Sequence, residues 1–194
     1  DTNFNSLKKA YANGIELRGK TLGIIGMGRI GKATAKIAIG LGMKVIYSDT
    51  DIPKKDIKVT FLDGQSISIS LASQSLESLF QESDFITLHV PSQDTYVIGE
   101  KELEMMKDGV GIVNCARGGA IDEVALIKAV DSDKVSFAGL DVFESEPNPE
   151  ITILMNPKIS LTPHIGAATK EAQDRIGIEL AHQIISFFNK SLIK

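Results

Sequence analysis

Six residues constrain this chain more than any others: Gly26-Met27-Gly28-Arg29-Ile30-Gly31. They follow the apolar run Thr21–Ile25, open a stretch with helical spacing, and are followed by a second apolar run that an acid, Asp49, closes. A glycine hexad alone is weak evidence, because such runs arise by chance. Set between a strand and a helix, with an acid at the next strand end, it has the context that a dinucleotide-binding turn requires. Gly26 permits the tight turn out of the strand. Gly28 lets the backbone approach a pyrophosphate, and Gly31 lets the helix pack close to the sheet. The helix N-terminus offers unpaired N–H groups and a partial positive charge to the phosphates. Asp49 is placed to accept hydrogen bonds from the adenosine ribose, and its charge repels a 2′-phosphate. The expected cofactor is therefore NAD rather than NADP.

The rest of the chain alternates between the two periods. Apolar positions Ile30, Ala33, Ala35, Ile37, Ala38 and Leu41 define a helix over 28–41, and Gly42 stops it. Strands are expected over 44–48, 85–89, 110–114, 136–140 and 159–161. Helices are expected over 5–13, 76–81, 100–106, 123–130 and 170–189, with Ser75, Asp122 and Thr169 as caps. Residues 59–61 and 66–69 flank Asp63-Gly64, which predicts a small hairpin bordering the adenosine side. Strands alternating with helices imply a doubly wound parallel α/β sheet of the Rossmann type. Ligands of such sheets lie beyond the carboxyl ends of the strands. Gly26, Asp49, His89, Cys115-Ala116-Arg117, Asp141 and His164 all fall there.

Bulk properties narrow the setting. At 194 residues and 43% apolar content the chain can bury one substantial core. The net charge of −4 and the lack of a basic stripe argue against nucleic acid. No apolar stretch is long enough to cross a membrane, and no signal-like segment precedes the first strand. Cys115 is the single cysteine, so no disulfide or cysteine metal site is expected and no metal is invoked. The expected compartment is the cytoplasm. The whole of 1–194 reads as one dinucleotide-binding domain excised from something larger, with a lead-in at 1–14 and a terminal helix over 170–194.

Several longer stretches resemble the cofactor domain of the D-isomer-specific 2-hydroxyacid dehydrogenases. They are 16–26 (ELRGKTLGIIG), 83–91 (SDFITLHVP), 113–119 (VNCARGG), 139–147 (GLDVFESEP) and 162–166 (TPHIG), in the family's order along nearly the whole chain. Asn114–Gly119 and Gly166–Gln173 are most similar to the D-3-phosphoglycerate dehydrogenase branch. The resemblance implies catalysis by Arg117, Glu146 and His164. It also implies cofactor contacts from Gly26, Gly28, Arg29, Ile30, Gly31, Asp49, His89, Val90, Pro91, Cys115, Ala116, Arg117, Asp141, His164, Gly166 and Ala167.

The chemistry suits these residues. Oxidising a 2-hydroxy acid removes a hydroxyl proton, for which histidine is a fitting base. A carboxylate beside it orients the ring and favours its charged form, and the family pattern prefers Glu146 to Glu144 for this. Arg117 offers a permanently charged fork to the substrate carboxylate. Asp141 is expected at the nicotinamide end and His89 on the adenosine-side wall. Cys115 is read as a small wall residue, Met105-Met106 as packing, and His182 as solvated or packed on the last helix.

The resemblance also implies a homodimer through the cofactor domain and a second, substrate-binding lobe that this sequence largely lacks. The expectation is a chain that binds NAD but turns over slowly or not at all alone. The leading activity is oxidation of 3-phosphoglycerate, feeding serine synthesis. Glyoxylate or hydroxypyruvate reduction and an NAD-sensing co-repressor stand beside it.

Overall fold

The computed structural model describes residues 3–10, 12 and 14–191. In chain order its elements are α1 (Phe4–Ala10), β1 (Thr21–Ile25), α2 (Arg29–Gly40), β2 (Lys44–Ser48), β3 (Lys54–Thr60), β4 (Ser66–Ala72), α3 (Leu76–Glu82), β5 (Phe85–Leu88), α4 (Glu100–Met105), β6 (Val110–Asn114), α5 (Glu123–Asp131), β7 (Val135–Leu140), α6 (Ile151–Leu154), β8 (Ile159–Leu161) and α7 (Lys170–Ser191). Six strands form one parallel sheet in the order β2-β1-β5-β6-β7-β8, while β3 and β4 pair with each other alone.

Burial on both faces explains why the parallel strands are almost unbroken apolar runs. Every residue of β1 is buried. Along it side chains alternate between two cores: Leu22 and Ile24 pack with Ala35 and Ala38 of α2, and Ile25 packs with Leu79, Phe80 and Ile86. Strand β2 repeats the pattern, with Val45 and Tyr47 on the α2 side and Ile46 on the other. The fully buried Tyr47 keeps its hydroxyl partnered by donating to the Ile52 carbonyl at 2.9 Å.

The sheet's order reverses at β1. The chain runs outward to β2 and returns to β5 on the opposite side, which opens a crevice at the carboxyl ends of β1 and β5. Ser75 caps α3 by accepting from the Ser78 N–H, and Asp122 caps α5 by accepting from Ala125, as the sequence predicts.

Three local expectations need revision. The hairpin is longer than 59–61 and 66–69, pairing from Lys54↔Ala72 to Thr60↔Ser66. Its length is set by Ile57, which is fully buried in the α2 core and draws the pairing down to the sheet. Helix α6 has no counterpart among the expected helices, because four residues are too few to show a helical period. The first helix starts at Phe4 rather than 5 and is described as far as Ala10; Tyr11 and Asn13 lie outside the described residues.

Helix α7 forms where its spacing predicts, with Thr169 accepting from the Ala172 N–H. No side chain from Lys170 to Asn189 is buried, so its apolar stripe at Ile176, Leu180 and Ile184 faces outward. His182 lies on this exposed helix. Among the described residues no helix is long and apolar enough to cross a membrane.

Candidate active site

The glycine turn is built by close approach. Gly26 has φ +93°, and a Cβ there would sit 2.6 Å from the His89 carbonyl oxygen. A Cβ on Gly31 would sit 2.1 Å from the Gly26 oxygen, so α2 can lie against the turn only with glycine at 31. At Gly28 an added Cβ would meet nothing within 4 Å. The backbone at Gly28 therefore borders open space.

Asp49 does more than the sequence suggests. One carboxylate oxygen accepts from the Met27 N–H in the glycine turn at 2.7 Å, and the other accepts from Asp51 and Ile52 at 2.9 Å each. A carboxylate has about four acceptor positions, so only about one remains for a ribose hydroxyl. Asp49 therefore fixes the turn first and offers its remaining capacity to a ligand.

A cleft of about 670 Å³ runs along these strand ends, and Gly26, Gly28, Asp49, His89, Val90 and Pro91 all line it. Burial holds the His89 imidazole below its usual range, so the ring is neutral, and its Nε2 lies 3.3 Å from the Thr87 hydroxyl. Sequence reasoning missed Leu76, Phe80, Tyr96 and Met105 in the wall, which come from elements between the motifs. Met106, its neighbour, belongs to the core. No residue of β3 or β4 lines the cleft, which corrects the expectation that the hairpin borders the adenosine side. The chain reaches the cleft at Thr50–Ile52, then leaves it for the hairpin and returns at Leu76.

The second half of the rim carries the polar cluster. His164 Nδ1 lies 2.8 Å from Glu146 Oε2. His164 has φ 55°, a left-handed conformation uncommon outside glycine, and its N–H donates to the Thr162 carbonyl at 3.1 Å. The hydrogen bond from His164 and a second from the Phe143 N–H hold the Glu146 carboxyl below the usual carboxylate range.

Buried Asp141 supports the same loop, accepting from the Thr162 hydroxyl at 2.6 Å and from the N–H groups of Ile165 and Gly166 at 2.8 Å each. Burial pushes its carboxyl up, but these bonds and the neighbouring His164 outweigh burial and hold it low. A Cβ on Gly166 would come 2.9 Å from the Asp141 carboxylate, and Ala167 follows, its carbonyl accepting from Gln173.

Asn114 ends β6 and shapes the next turn: its Oδ1 accepts from the Ala116 N–H and its Nδ2 donates to the Arg117 carbonyl. Arg117 is exposed, not tucked behind the buried strand that precedes it, and its Nη1 donates to the Ala116 carbonyl at 2.6 Å. The turns carrying Arg117 and Glu146 touch directly, since a Cβ on Gly118 would fall 1.8 Å from the Phe143 oxygen. Ala116 is buried and Cys115 is exposed; partial desolvation and the nearby Asp141 charge push its thiol up, away from reactivity. Arg29 and Ile30 are exposed on the first turn of α2, with Arg29 paired to Glu179 of α7 at 3.1 Å. Both partners of that pair are exposed, and it contributes at most about 1 kcal/mol.

A smaller pocket of about 410 Å³ adjoins the pair, lined by Phe143, Pro147, Leu154, Leu161 and Pro163 beside Glu146 and His164. Among the described residues no cluster of His, Cys, Asp and Glu has the makings of a metal site.

The strand ends thus place an open cleft beside the glycine turn and a histidine–carboxylate pair further along the same rim. The chain belongs to the D-isomer-specific 2-hydroxyacid dehydrogenases: residues 2–166 match that family's NAD-binding domain. It is 48% identical over 182 residues to the hydroxypyruvate reductase of Thermotoga maritima, covering 91% of this chain and 56% of that protein. It is 44% identical over 173 residues to the D-3-phosphoglycerate dehydrogenase of Methanocaldococcus jannaschii, covering 88% and 32%. In structure it resembles the D-lactate dehydrogenase of Aquifex aeolicus, solved with NAD and lactic acid, at a TM-score of 0.74 and 32% identity over 97% of this chain and 61% of that one. The chain thus spans between about a third and a little over half of the curated relatives named here.

Proposed function

We propose that this chain is the cofactor half of an enzyme that moves a hydride between NAD and a D-2-hydroxy acid, with His164, Glu146 and Arg117 as its catalytic residues. The observation that carries the reading is the 2.8 Å contact between His164 Nδ1 and Glu146 Oε2. With the Nδ1 proton donated to the carboxylate, Nε2 keeps a lone pair directed away from Glu146. That nitrogen takes the substrate's hydroxyl proton on oxidation and returns it on reduction. Glu146 stabilises the imidazolium formed in between and holds the ring's orientation. Arg117 uses one Nη1 proton on the Ala116 carbonyl, which leaves its remaining N–H groups for a substrate carboxylate. NAD, when bound, supplies the hydride acceptor at its nicotinamide ring. Gly26, Gly28 and Asp49 hold the other end of the dinucleotide, and Asp141 fixes the backbone on which His164 sits.

For the substrate, we favour a short 2-oxo acid without a phosphate, such as hydroxypyruvate or glyoxylate. Beside Glu146, Thr162 and His164 the pocket is lined by Phe143, Leu154, Leu161 and three prolines, with no lysine or arginine among its lining residues. A phosphate ester calls for cations there. The 48% identity to a hydroxypyruvate reductase points the same way. Oxidation of 3-phosphoglycerate is the second reading, favoured by the motif at 114–119. A homodimer and a cytoplasmic setting complete the proposal; half-exposed Val113 and Phe137 on the α2 side of the sheet offer apolar surface for a dimer contact.

The test is steady-state kinetics on the full-length protein that contains this chain, with hydroxypyruvate, glyoxylate and 3-phosphohydroxypyruvate as competing substrates. The unphosphorylated acids should lead in kcat/KM by tenfold or more, about 1.4 kcal/mol of transition-state discrimination. A lead for the phosphorylated acid establishes the second reading. NAD binding in calorimetry with no turnover of any 2-oxo acid overturns the enzymatic reading. The isolated 194-residue chain should bind NAD and turn over poorly, because a cleft open on one side does not exclude water.

A further inference from the structure

We propose that Glu144 is a positioning residue, clamping the loop after β7 between the cofactor cleft and α5 so that Glu146 meets His164. The inference rests on the reading of Glu146 and His164 as the reacting pair.

Glu144 is held from three directions. Its Oε1 accepts from the Glu123 N–H at 3.0 Å, and its own N–H donates to Glu123 Oε1 at 2.8 Å. The two glutamates thus exchange side-chain-to-backbone bonds. Its Oε2 accepts from the Tyr96 hydroxyl at 3.2 Å, and Tyr96 lines the cofactor cleft. One residue upstream, the Phe143 N–H donates to Glu146 Oε1 at 3.0 Å, and the other Glu146 oxygen faces His164. Fixing the backbone at 143–144 therefore aims the N–H that aligns Glu146.

Helix capping accounts for only part of this clamp. Asp122 satisfies the Ala125 N–H of α5 and Glu144 the Glu123 N–H, but the bonds from the Glu144 N–H and from the Tyr96 hydroxyl cap nothing. The arrangement also carries an electrostatic cost. Glu123 is buried, and burial together with the charges of Glu144 and Glu150 pushes its carboxyl up despite the bond from the Glu144 N–H. Three acids in one loop and its support repel one another. What the clamp yields is a defined path for residues 143–146.

The experiment follows Glu146 itself by carbon-detected NMR of the chain labelled at glutamate carboxyls. The groups that set its titration are His164, the Phe143 N–H and the charge of Asp141. In Glu144→Ala the Glu146 midpoint should rise toward an ordinary carboxylate value, because the aligning bonds loosen. A purely through-space effect has the opposite sign: removing a neighbouring negative charge lowers the midpoint. Glu144→Gln keeps an oxygen for the Glu123 N–H and should leave the midpoint at or slightly below its original value. NAD calorimetry on each variant reports whether the chain is folded. Should Glu144→Ala fail to bind NAD, Tyr96→Phe removes one of the three holds and should give a smaller rise. An unchanged or lowered midpoint in a folded Glu144→Ala chain overturns the proposal. His164→Gln must raise the same midpoint; if it does not, the fault lies in the His164–Glu146 pair and not in Glu144.

Discussion

At the carboxyl rim of the sheet, Asp49, Asn114 and Asp141 each turn their side chains onto backbone N–H groups of a loop. Along the β3–β4 hairpin, Asp56, Lys58 and Thr60 stand opposite Ser70, Ser68 and Ser66 on one face, while Ile57, Val59, Ile69 and Ile67 share the other. The rim resolves its polar groups by partnering them inside the fold. The hairpin resolves them by period-two alternation, leaving one face to water. The rim consequently has little freedom: Gly26, Gly31 and Gly118 lie against neighbouring backbone and its carboxylates are held by several donors. The hairpin is anchored at its base by buried Ile57 with Val59 and Leu71 packed beside it, and toward the turn Phe61, Leu62 and Ile67 are all about half exposed or more. A region partnered from within can hold reacting atoms in place, whereas a region anchored only at its base is free to vary toward its tip.

The sharpest way to break this contrast is to substitute both regions in the full-length enzyme. His164→Ala removes the proposed base and should lower kcat by about 10²–10⁴-fold. The triple variant Phe61→Ser, Leu62→Ser, Ile67→Ser should keep kcat/KM within about twofold, as expected of exposed positions away from the site. A loss of NAD affinity in the triple variant would show that the hairpin reaches the cleft after all.

A smaller effect separates two glycines. In Gly31→Ala the new methyl meets the Gly26 carbonyl at 2.1 Å, so α2 must move off the turn. Overpacking of this kind costs about 1–3 kcal/mol, and NAD affinity should fall with it. Gly64 sits at φ +85° in the hairpin turn with nothing within 4 Å of a new Cβ. Gly64→Ala should cost about 1–2 kcal/mol, the cost of the left-handed conformation alone, and leave NAD affinity unchanged. Thermal melts with and without NAD distinguish the two.

The two regions also differ in what their residues reveal in advance. Asp49 and Asp141 are legible because each polar residue ends an apolar run, Asp49 after Val45–Ser48 and Asp141 after Val135–Leu140; Asn114 ends a run in the same way but is not among the strand-end residues the sequence singles out. Their partners were not legible. Asp141 reaches from the end of β7 to Ile165 and Gly166 beyond β8, and Tyr96 reaches Glu144 from a different strand end; no local spacing encodes either contact. Glu144 and Glu146 were rivals for one role in the sequence, and in the fold only Glu146 touches His164. The hairpin shows the converse. Asp63-Gly64 announced its turn, but its extent depended on the burial of Ile57 against α2, a tertiary fact. The helical spacing of α7 was equally visible, yet spacing names an apolar face without naming what covers it.

The smallest expected effect probes the rim's one apparent extravagance, the buried Glu123. Its carboxyl is raised in the folded chain by burial, the Glu144 backbone bond opposes the shift, and the charges of Glu144 and Glu150 add to it. A raised carboxyl means that the fold favours the protonated form. The stabilising contribution is therefore complete below the unfolded value, about 4.3, and is lost as pH rises through the folded value. At neutral pH the charge on Glu123 is a net cost. Glu123→Gln removes that charge and keeps an oxygen to accept from the Glu144 N–H. Its melting midpoint should exceed the parent's at pH 7, by about 2–4 °C for each kcal/mol gained, and the gap should close as the pH falls toward 4. A midpoint that drops at pH 7 would mean that the charged carboxylate strengthens its bond to Glu144 by more than burial costs it. The rim would then be held by charge-assisted bonds even where two acids face each other, and the contrast with the charge-tolerant hairpin would widen.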